Sequence, residues 1–206
     1  MLRSLVGSEM CIRDSTNAPA SVLAFKLFEA TQDSTYFYQG KEMYSWTKEH
    51  LQDKTDYLYF DRINIDGSVG PAKHAYNSGQ MMQSAAIQYK LTKDTVYLID
   101  AQKIAKSCYD YFFRDYVTAS GKQIRLLKKG DVWFSAVMLR GFAELYSLDK
   151  NDMYVTEFAK SLDYAWLHAR DEYGLFGVDY SGECCDPKKW LLAQAAMVEM
   201  YARLAI

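Results

Sequence analysis

The feature that most restricts the fold is a repeat that runs from Asn17 to the end of the chain. Four aromatic anchor residues recur at spacings of 61, 57 and 55 residues: Phe28, Tyr89, Tyr146 and Tyr201. Eight residues after each of the first three stands another tyrosine, and apolar or small residues follow it at helical spacing. The repeat unit is therefore two helices joined by a tight turn, and the chain is an array of such hairpins.

Each turn carries a residue suited to begin the second helix. Asp33, Asp94 and Asn151 stand three residues before the second tyrosine, and Asp and Asn favour the N-cap position. The pattern predicts no strand and helices over residues 18–31, 34–51, 77–92, 94–113, 132–147, 151–170 and 188–205. The first helix of each hairpin is apolar on nearly every side, whereas the second has a charged face. We therefore expect the first helices to form an inner layer and the second helices to cover it.

The connections between helices are of two lengths. Turns within a hairpin are short, but the links between hairpins run over residues 52–76, 114–131 and 171–187. Long links within a compact domain are usually functional. In an alternating array all three links leave on the side where the inner helices begin, and we call this side the loop face. The sequence predicts a functional site there.

Composition and charge exclude several classes of protein. Half of the 206 residues are hydrophobic and 24% are charged, which fits neither a disordered chain nor a coiled coil. No apolar run approaches the roughly 18 residues that a membrane span needs. The net charge of −2 offers no electrostatic attraction for a nucleic acid, so we expect no nucleic-acid partner.

The cysteines and histidines form no recognisable site pattern. The four cysteines include no C-x-x-C pair, and the three histidines lie far apart in the sequence. A dense disulfide framework is excluded, and the spacing does not match a zinc site. We therefore expect no metal and no cofactor.

Residues 1–15 share no pattern with the rest of the chain. They lack the apolar stretch of a signal peptide. The string resembles the translation of a sequencing adapter, so we expect a non-native or disordered leader, with the native sequence beginning near Thr16. A genuine frayed N-terminus is the alternative.

Aromatic, amide and carboxylate side chains gather where the inner helices begin. Such a mixture suits sugar binding, because the C–H face of a pyranose stacks on a ring while its hydroxyls need fixed donors and acceptors. The predicted substrate-binding residues are Asp61, Tyr76, Asn77, Gln80, Trp133, Phe134 and Trp190. Two alternatives stay open: Trp133, Phe134 and Trp190 could instead fill the core of the inner layer, and Asp61 could be a turn residue.

Five segments together resemble glycoside hydrolase family 76, the endo-α-1,6-mannanases and related enzymes. They occur in the same order as in the family and span residues 17–206: NAPA from Asn17, LFEATQD from Leu27, YNSGQ from Tyr76, WFSAVMLRGF from Trp133, and HARDEYGLFGVDYSG from His168 with WLLAQAAMVEMYARLA from Trp190. The resemblance implies an (α/α)6 toroid with its cleft on the long-loop side. It also implies an all-α fold for residues 16–206, here as an incomplete toroid of about three and a half hairpins.

The resemblance further implies retaining hydrolysis by two consecutive aspartates. A retaining glycosidase needs two carboxyl groups about 5–5.5 Å apart, and this sequence contains no Asp-Asp pair. We therefore expect a C-terminal part of one glycosidase domain, with the catalytic residues upstream and the chain itself inactive. The expected partner is mannan or a mannooligosaccharide, the expected location is extracytoplasmic, and the oligomeric state is open.

Two other functions compete with this one. A polysaccharide lyase, an epimerase or an unsaturated-uronyl hydrolase could share the toroid, but anionic sugars would favour clustered Arg and Lys on the loop face. A non-catalytic helical-repeat scaffold would have repeats of about 34–47 residues with short links. The long repeat and the long links favour the mannanase.

Overall fold

The computed structural model describes residues 11–64, 66–184 and 188–205. Within those ranges the helices are α1 (Asp14–Thr31), α2 (Ser34–Leu51), α3 (Ala75–Thr92), α4 (Thr95–Phe112), α5 (Val132–Asp149), α6 (Met153–His168) and α7 (Leu191–Leu204). The short strands are β1 (Cys11–Arg13), β2 (Arg62–Asn64), β3 (Phe113–Val117) and β4 (Gln123–Leu127).

The predicted hairpins are present as α1–α2, α3–α4 and α5–α6. The side chains of Asp33, Asp94 and Asn151 each accept a hydrogen bond from the backbone N–H two residues ahead, at 2.9, 3.0 and 3.2 Å. These bonds satisfy N–H groups that the first helical turn leaves unpaired. At the start of the turns that follow α3 and α5, the C-cap residues Lys93 and Lys150 take the left-handed backbone conformation. The predicted turns are confirmed.

Helices α1, α3, α5 and α7 form the inner layer, and α2, α4 and α6 pack on its outside. The central helix α3 is buried throughout residues 77–88. Helices α3 and α5 approach closely at two glycines: a Cβ on Gly79 would lie 2.5 Å from Met138 Cα, and a Cβ on Gly141 would lie 2.5 Å from Gly79 O. The predicted division into inner and outer helices is confirmed.

An open depression runs along the inner helices, and we call it the inner groove. Its volume is about 620 Å³. Each of the four inner helices contributes to its lining, including Leu23 of α1, Gln80 and Gln83 of α3, Arg140 and Glu144 of α5, and Arg203 of α7. The two helices at its margins are also the least buried of the inner layer, with Leu23 59% exposed on α1 and Val198 68% exposed on α7.

The prediction of no strand is wrong for the first long link, which contains β2, and for the second, which contains β3 and β4. Strands β3 and β4 pair antiparallel from Phe113 opposite Leu127 to Val117 opposite Gln123. Phe113 and Leu127 are buried, and the backbone N–H of Leu127 donates to Ser161 Oγ of α6 at 3.2 Å. The hairpin forms because a short aromatic and β-branched segment can pair with its neighbour and dock on an outer helix, although its alternating pattern is brief.

The predicted leader, residues 1–15, falls partly outside the described residues. Residues 1–10 are not described, whereas the backbone of β1 pairs antiparallel with β2 and α1 begins at Asp14. That residues 1–15 are a non-native or disordered leader stays a prediction. No helix in the described part of the chain is long and apolar enough to cross a membrane.

Candidate active site on the loop face

The long links meet on the loop face. The backbone N–H of Gly130 donates to the carbonyl oxygen of Val178 at 3.2 Å, which joins the second link to the third. The phenol of Tyr116, on β3, donates to Glu183 Oε1 at 3.0 Å. The first link ends at the start of α3, where the predicted site residues lie. The loop face is therefore one connected surface.

Asp61 is held against the first turn of α3. Its Oδ1 accepts a hydrogen bond from the Tyr76 phenol at 2.6 Å and one from Asn77 Nδ2 at 3.3 Å. The backbone N–H of Asp61 donates to the carbonyl oxygen of Ala72 at 2.8 Å, which fixes the position of the carboxylate. The structure thus brings three of the predicted site residues into one hydrogen-bonded group.

Lys73 stabilises the link that carries Asp61. Its ammonium donates to Asp53 Oδ2 at 2.6 Å and to Asp56 Oδ2 at 2.8 Å, and it lies 4.7 Å from the centre of the Phe60 ring. The hydrogen bond from Lys73 and those from Thr55 lower the pKa of Asp53 to about 2. This role could not be predicted from the sequence, because an isolated lysine in a polar link carries no periodic signal.

An aromatic cluster lies beside Asp61. The Tyr76 ring stacks on Trp133, with centres 5.4 Å apart and planes at 17°, and it contacts Phe134 at 4.5 Å. The His74 ring stacks on Tyr76, with centres 5.7 Å apart, and lies tilted against Phe134 at 5.2 Å. Tyr76, Trp133 and Phe134 are each half-buried, so they are neither core residues nor fully exposed. No pattern in the sequence indicates this role of His74, because its place in the cluster depends on the contact between α3 and α5.

Trp133 and Trp190 line one cleft at the start of α5 and α7. Its volume is about 150 Å³, and the rest of its lining comes from the second and third links and from the first residues of α5 and α7: Asp131, Val132, Phe176, Val178, Lys188, Leu192 and Ala193. Trp190 is 63% exposed. In the described residues it is a surface side chain, which leaves its indole available for stacking.

Gln80 lies apart from the other predicted residues. It is one turn further along α3 than Tyr76 and lines the inner groove. Gln80 Oε1 and Asn77 Oδ1 are both buried and have no hydrogen-bond partner among the described residues. A buried polar atom without a partner costs free energy. Of the two residues only Gln80 lines a depression that a ligand can occupy, whereas Asn77 is fully buried.

Several other polar groups near the loop face stabilise turns. Asp179 Oδ1 accepts hydrogen bonds from the backbone N–H and the hydroxyl of Ser181, at 3.0 and 2.8 Å. Asp66 makes the same pair of contacts with Ser68, which lower the pKa of Asp66. Across residues 11–64, 66–184 and 188–205, no three His, Cys, Asp or Glu side chains are grouped to hold a metal ion.

Comparison with known proteins identifies the family. The sequence model described as glycosyl hydrolase family 76 matches residues 13–205. A crystal structure of a family 76 glycoside hydrolase from a bovine strain of Bacteroides thetaiotaomicron is 35% identical, with a TM-score of 0.91 over 96% of this chain and 44% of its own length. A family 76 mannosidase from Bacteroides thetaiotaomicron is 33% identical, with a TM-score of 0.89 over 96% of this chain and 55% of its own.

A more distant structure shows the fold alone. An inactive variant of the α-1,6-mannanase from Salegentibacter, in complex with α-1,6-mannotriose, is 24% identical, with a TM-score of 0.81 over 96% of this chain and 61% of its own. The chain thus spans about half the length of the structures it matches, and no curated protein matches it. The predicted incomplete (α/α)6 toroid and the family resemblance are confirmed. The chain belongs to glycosyl hydrolase family 76.

Proposed function

We propose that the chain is part of a retaining endo-α-1,6-mannanase and that residues 16–206 are the C-terminal part of its single (α/α)6 domain. Membership of family 76 supports this, as do a mannosidase at 33% identity and the complex of the Salegentibacter enzyme with α-1,6-mannotriose. That enzyme is an inactive variant in which two consecutive aspartates are replaced. This sequence contains no consecutive aspartates, so the chain supplies sugar subsites and not the catalytic pair.

The observation that carries the proposal is the Asp61–Tyr76–Asn77 group beside Trp133. A carboxylate held by a phenol and an amide has a fixed orientation and retains acceptor capacity for a sugar hydroxyl. The neighbouring indole offers a flat apolar face for the C–H side of a pyranose.

The remaining predicted residues extend this surface. We propose that Trp133 and Trp190 stack on successive mannose units along their shared cleft, while Phe134 supports the Tyr76 ring from behind. Asn77 keeps the Asp61 carboxylate in position through its Nδ2, and Gln80 accepts a hydrogen bond from a mannose hydroxyl on the side of the inner groove. Mannan or a mannooligosaccharide is the partner, and an extracytoplasmic location follows because such polymers are met outside the cytoplasm.

Family membership favours this function over the alternatives. A lyase, an epimerase and an unsaturated-uronyl hydrolase would recognise charged or modified sugars, whereas the cleft at Trp133 and Trp190 is mainly apolar and contains one lysine, Lys188. A non-catalytic repeat scaffold is disfavoured because residues 13–205 match a glycosyl hydrolase family.

Calorimetric titration with α-1,6-mannotriose tests the proposal. We expect the Asp61→Asn and Trp133→Ala variants to bind mannotriose at least about tenfold more weakly than the unchanged chain. The first loses a charged hydrogen-bond acceptor, and the second loses an aromatic stacking face. Tyr38→Ala, an exposed position on the outer helix α2, is the matched control and should bind as the unchanged chain does. Equal affinity of all four proteins would contradict the assigned site.

The same preparation tests the absence of the catalytic pair. Incubation with α-1,6-mannan should release no reducing sugar, because no two adjacent carboxylates are present to attack the anomeric carbon and to protonate the leaving oxygen. Turnover that disappears in Asp61→Asn would instead make Asp61 a catalytic residue and overturn the proposed division of roles.

A further inference from the structure

The ammonium of Lys73 is enclosed within the first link. Its side chain is 10% exposed, whereas that of Lys106 on α4, which also pairs with an aspartate, is 72% exposed. The enclosed ammonium donates to both Asp53 and Asp56. An ammonium group is costly to bury unless it is paired and hydrogen-bonded, so these contacts are part of what holds the link in its fold.

The backbone of Lys73 lies beside the residues that lead to Asp61. Phe60 and Lys73 pair as an antiparallel bridge, and the N–H of Asp61 donates to the carbonyl oxygen of Ala72 at 2.8 Å. The Lys73 ammonium also lies 4.7 Å from the centre of the Phe60 ring, where a cation is attracted to the ring face. Phe60 is therefore held by both the backbone and the side chain of Lys73, and Asp61 is the next residue.

The same lysine leads into the helix that holds the Asp61 carboxylate. Tyr76 follows Lys73 by three residues, and its phenol donates to Asp61 Oδ1 at 2.6 Å. Asn77 Nδ2 donates to the same oxygen at 3.3 Å. A displacement of Lys73 would therefore move the backbone of Asp61 relative to the groups that hold its carboxylate.

Loss of the ammonium would disturb the turn that precedes Phe60. Asp53 Oδ2 and Asp56 Oδ2 contact the same nitrogen, so without it two carboxylates face each other and repel. A single backbone bond of 2.8 Å, from the N–H of Asp53 to the carbonyl oxygen of Leu58, joins the ends of this turn. Burial disfavours the charged ammonium, but the hydrogen bonds with both carboxylates outweigh it and raise the pKa of Lys73, so the charge is present at neutral pH.

We propose that Lys73 is a positioning residue for sugar binding, whose enclosed ammonium holds the Phe60–Asp61 segment so that the Asp61 carboxylate keeps one orientation beside Tyr76. In this role Lys73 acts through Asp61 and does not touch the sugar itself. That Asp61 binds mannose rests on the proposed function, while the hold of Lys73 on Asp61 rests on the contacts within the first link.

A double-mutant cycle with α-1,6-mannotriose tests the proposal, with binding followed by tryptophan fluorescence so that weak affinities remain measurable. We expect Lys73→Met to bind about threefold to tenfold more weakly than the unchanged chain, because the carboxylate is no longer held in one orientation. In the Asp61→Ala background the same substitution should cause no further loss, because the group through which Lys73 acts is gone. Equal losses in the two backgrounds, or no loss in the first, would overturn the role of Lys73.

Two control variants and one substitute accompany the cycle. Lys73→Arg keeps the charge and should restore most of the affinity lost in Lys73→Met, while Lys106→Met removes an exposed paired lysine and should bind as the unchanged chain does. If circular dichroism shows that Lys73→Met does not fold, Asp56→Asn replaces it, because it removes one partner of the ammonium and keeps the Oδ1 that accepts from the N–H of Leu58. We then expect a loss of about twofold to threefold, again only when Asp61 is present.

Amide hydrogen exchange separates the role of Lys73 from the proposed function. In the folded Lys73→Met variant the N–H of Asp61 should exchange at least about tenfold faster, because its bond to Ala72 opens more often. Failure of the unchanged chain to bind mannotriose, together with this faster exchange, would contradict the proposed function and leave Lys73 as the residue that holds Asp61. Unaltered exchange at Asp61 would overturn the inference whatever the binding result.

Discussion

The central helices α3 and α5 differ in burial from the marginal helices α1 and α7, although all four are rich in apolar and small residues. On α5, Phe142 is 1% exposed and Met138 is fully buried. On the margins, Leu23 of α1 is 59% exposed and Val198 of α7 is 68% exposed. Helix α3 packs against both α1 and α5, and α5 packs against both α3 and α7.

The difference shows that composition and burial are separate properties. A helix that is apolar on every side is fully buried only when it has a neighbour on each side. Within the described residues, α1 has α3 as its inner-layer neighbour and α7 has α5. The same kind of sequence therefore contributes much of the folding free energy at the centre of the array and much less at its margins.

The largest effect should come from truncating a central side chain. We expect Phe142→Ala to lower the free energy of unfolding by about 3–5 kcal/mol, because it leaves a cavity in a close-packed layer. Val198→Ala on α7 should change it by less than about 0.5 kcal/mol. Urea unfolding followed by circular dichroism measures both, and similar losses for the two variants would remove the distinction between centre and margin.

A smaller effect is expected where α3 and α5 touch. Gly141→Ala places a methyl group against the Gly79 carbonyl and should cost about 1–3 kcal/mol, because the obstacle is backbone that can yield only if the helices separate. Gly130→Ala adds the same methyl group where nothing lies within 4 Å and is the matched control. If both variants unfold at the same urea concentration, the close approach of α3 and α5 is not required.

The smallest effect should come from the ion pair that joins centre to margin. Arg140 of α5 donates twice to the carboxylate of Glu199 on α7, both bonds at 2.7 Å, and Arg203 adds a third bond at 2.8 Å. The hydrogen bonds from Arg140 are the main reason that the pKa of Glu199 falls from 4.5 to about 2. Since the group is partly exposed, we expect Glu199→Gln to cost no more than about 1 kcal/mol at neutral pH.

The pH dependence of that cost checks its origin. A carboxyl whose pKa is lower in the folded chain stabilises it fully above its unfolded pKa, here above about pH 5, and this contribution is lost as the pH falls towards 2. The difference in unfolding midpoint between the unchanged chain and Glu199→Gln should therefore shrink between pH 5 and pH 2. A difference that stays constant over this range would exclude the ion pair as its cause.

The sequence predicted features that depend on neighbours along the chain. Helix positions, the caps at Asp33 and Asp94 and the inner character of α3 follow from local spacing, because hydrogen bonds within a few residues and the period of an apolar face are local properties. It missed strands β3 and β4, whose short pattern becomes a hairpin only when Phe113 and Leu127 are buried beneath the outer helices.

The candidate site was predictable only in part. Tyr76 and Asn77 open a buried helix with polar groups, which is a signal in the sequence, and the structure adds their shared contact with Asp61. The roles of His74 and Lys73 carry no such signal, because each depends on residues of another element. Gln80, only three residues after Asn77, lies instead along the inner groove.

By itself, the sequence determined an array of helical hairpins, its inner and outer layers and its family, because periodicity, caps and motifs are properties of residues close together in the chain. The tertiary structure alone decided which inner helices are enclosed, which aromatic rings form the Trp133 cleft and which carboxylate Tyr76 holds. Those outcomes depend on side chains brought together from separate helices and links, and the distances between such groups are set by packing.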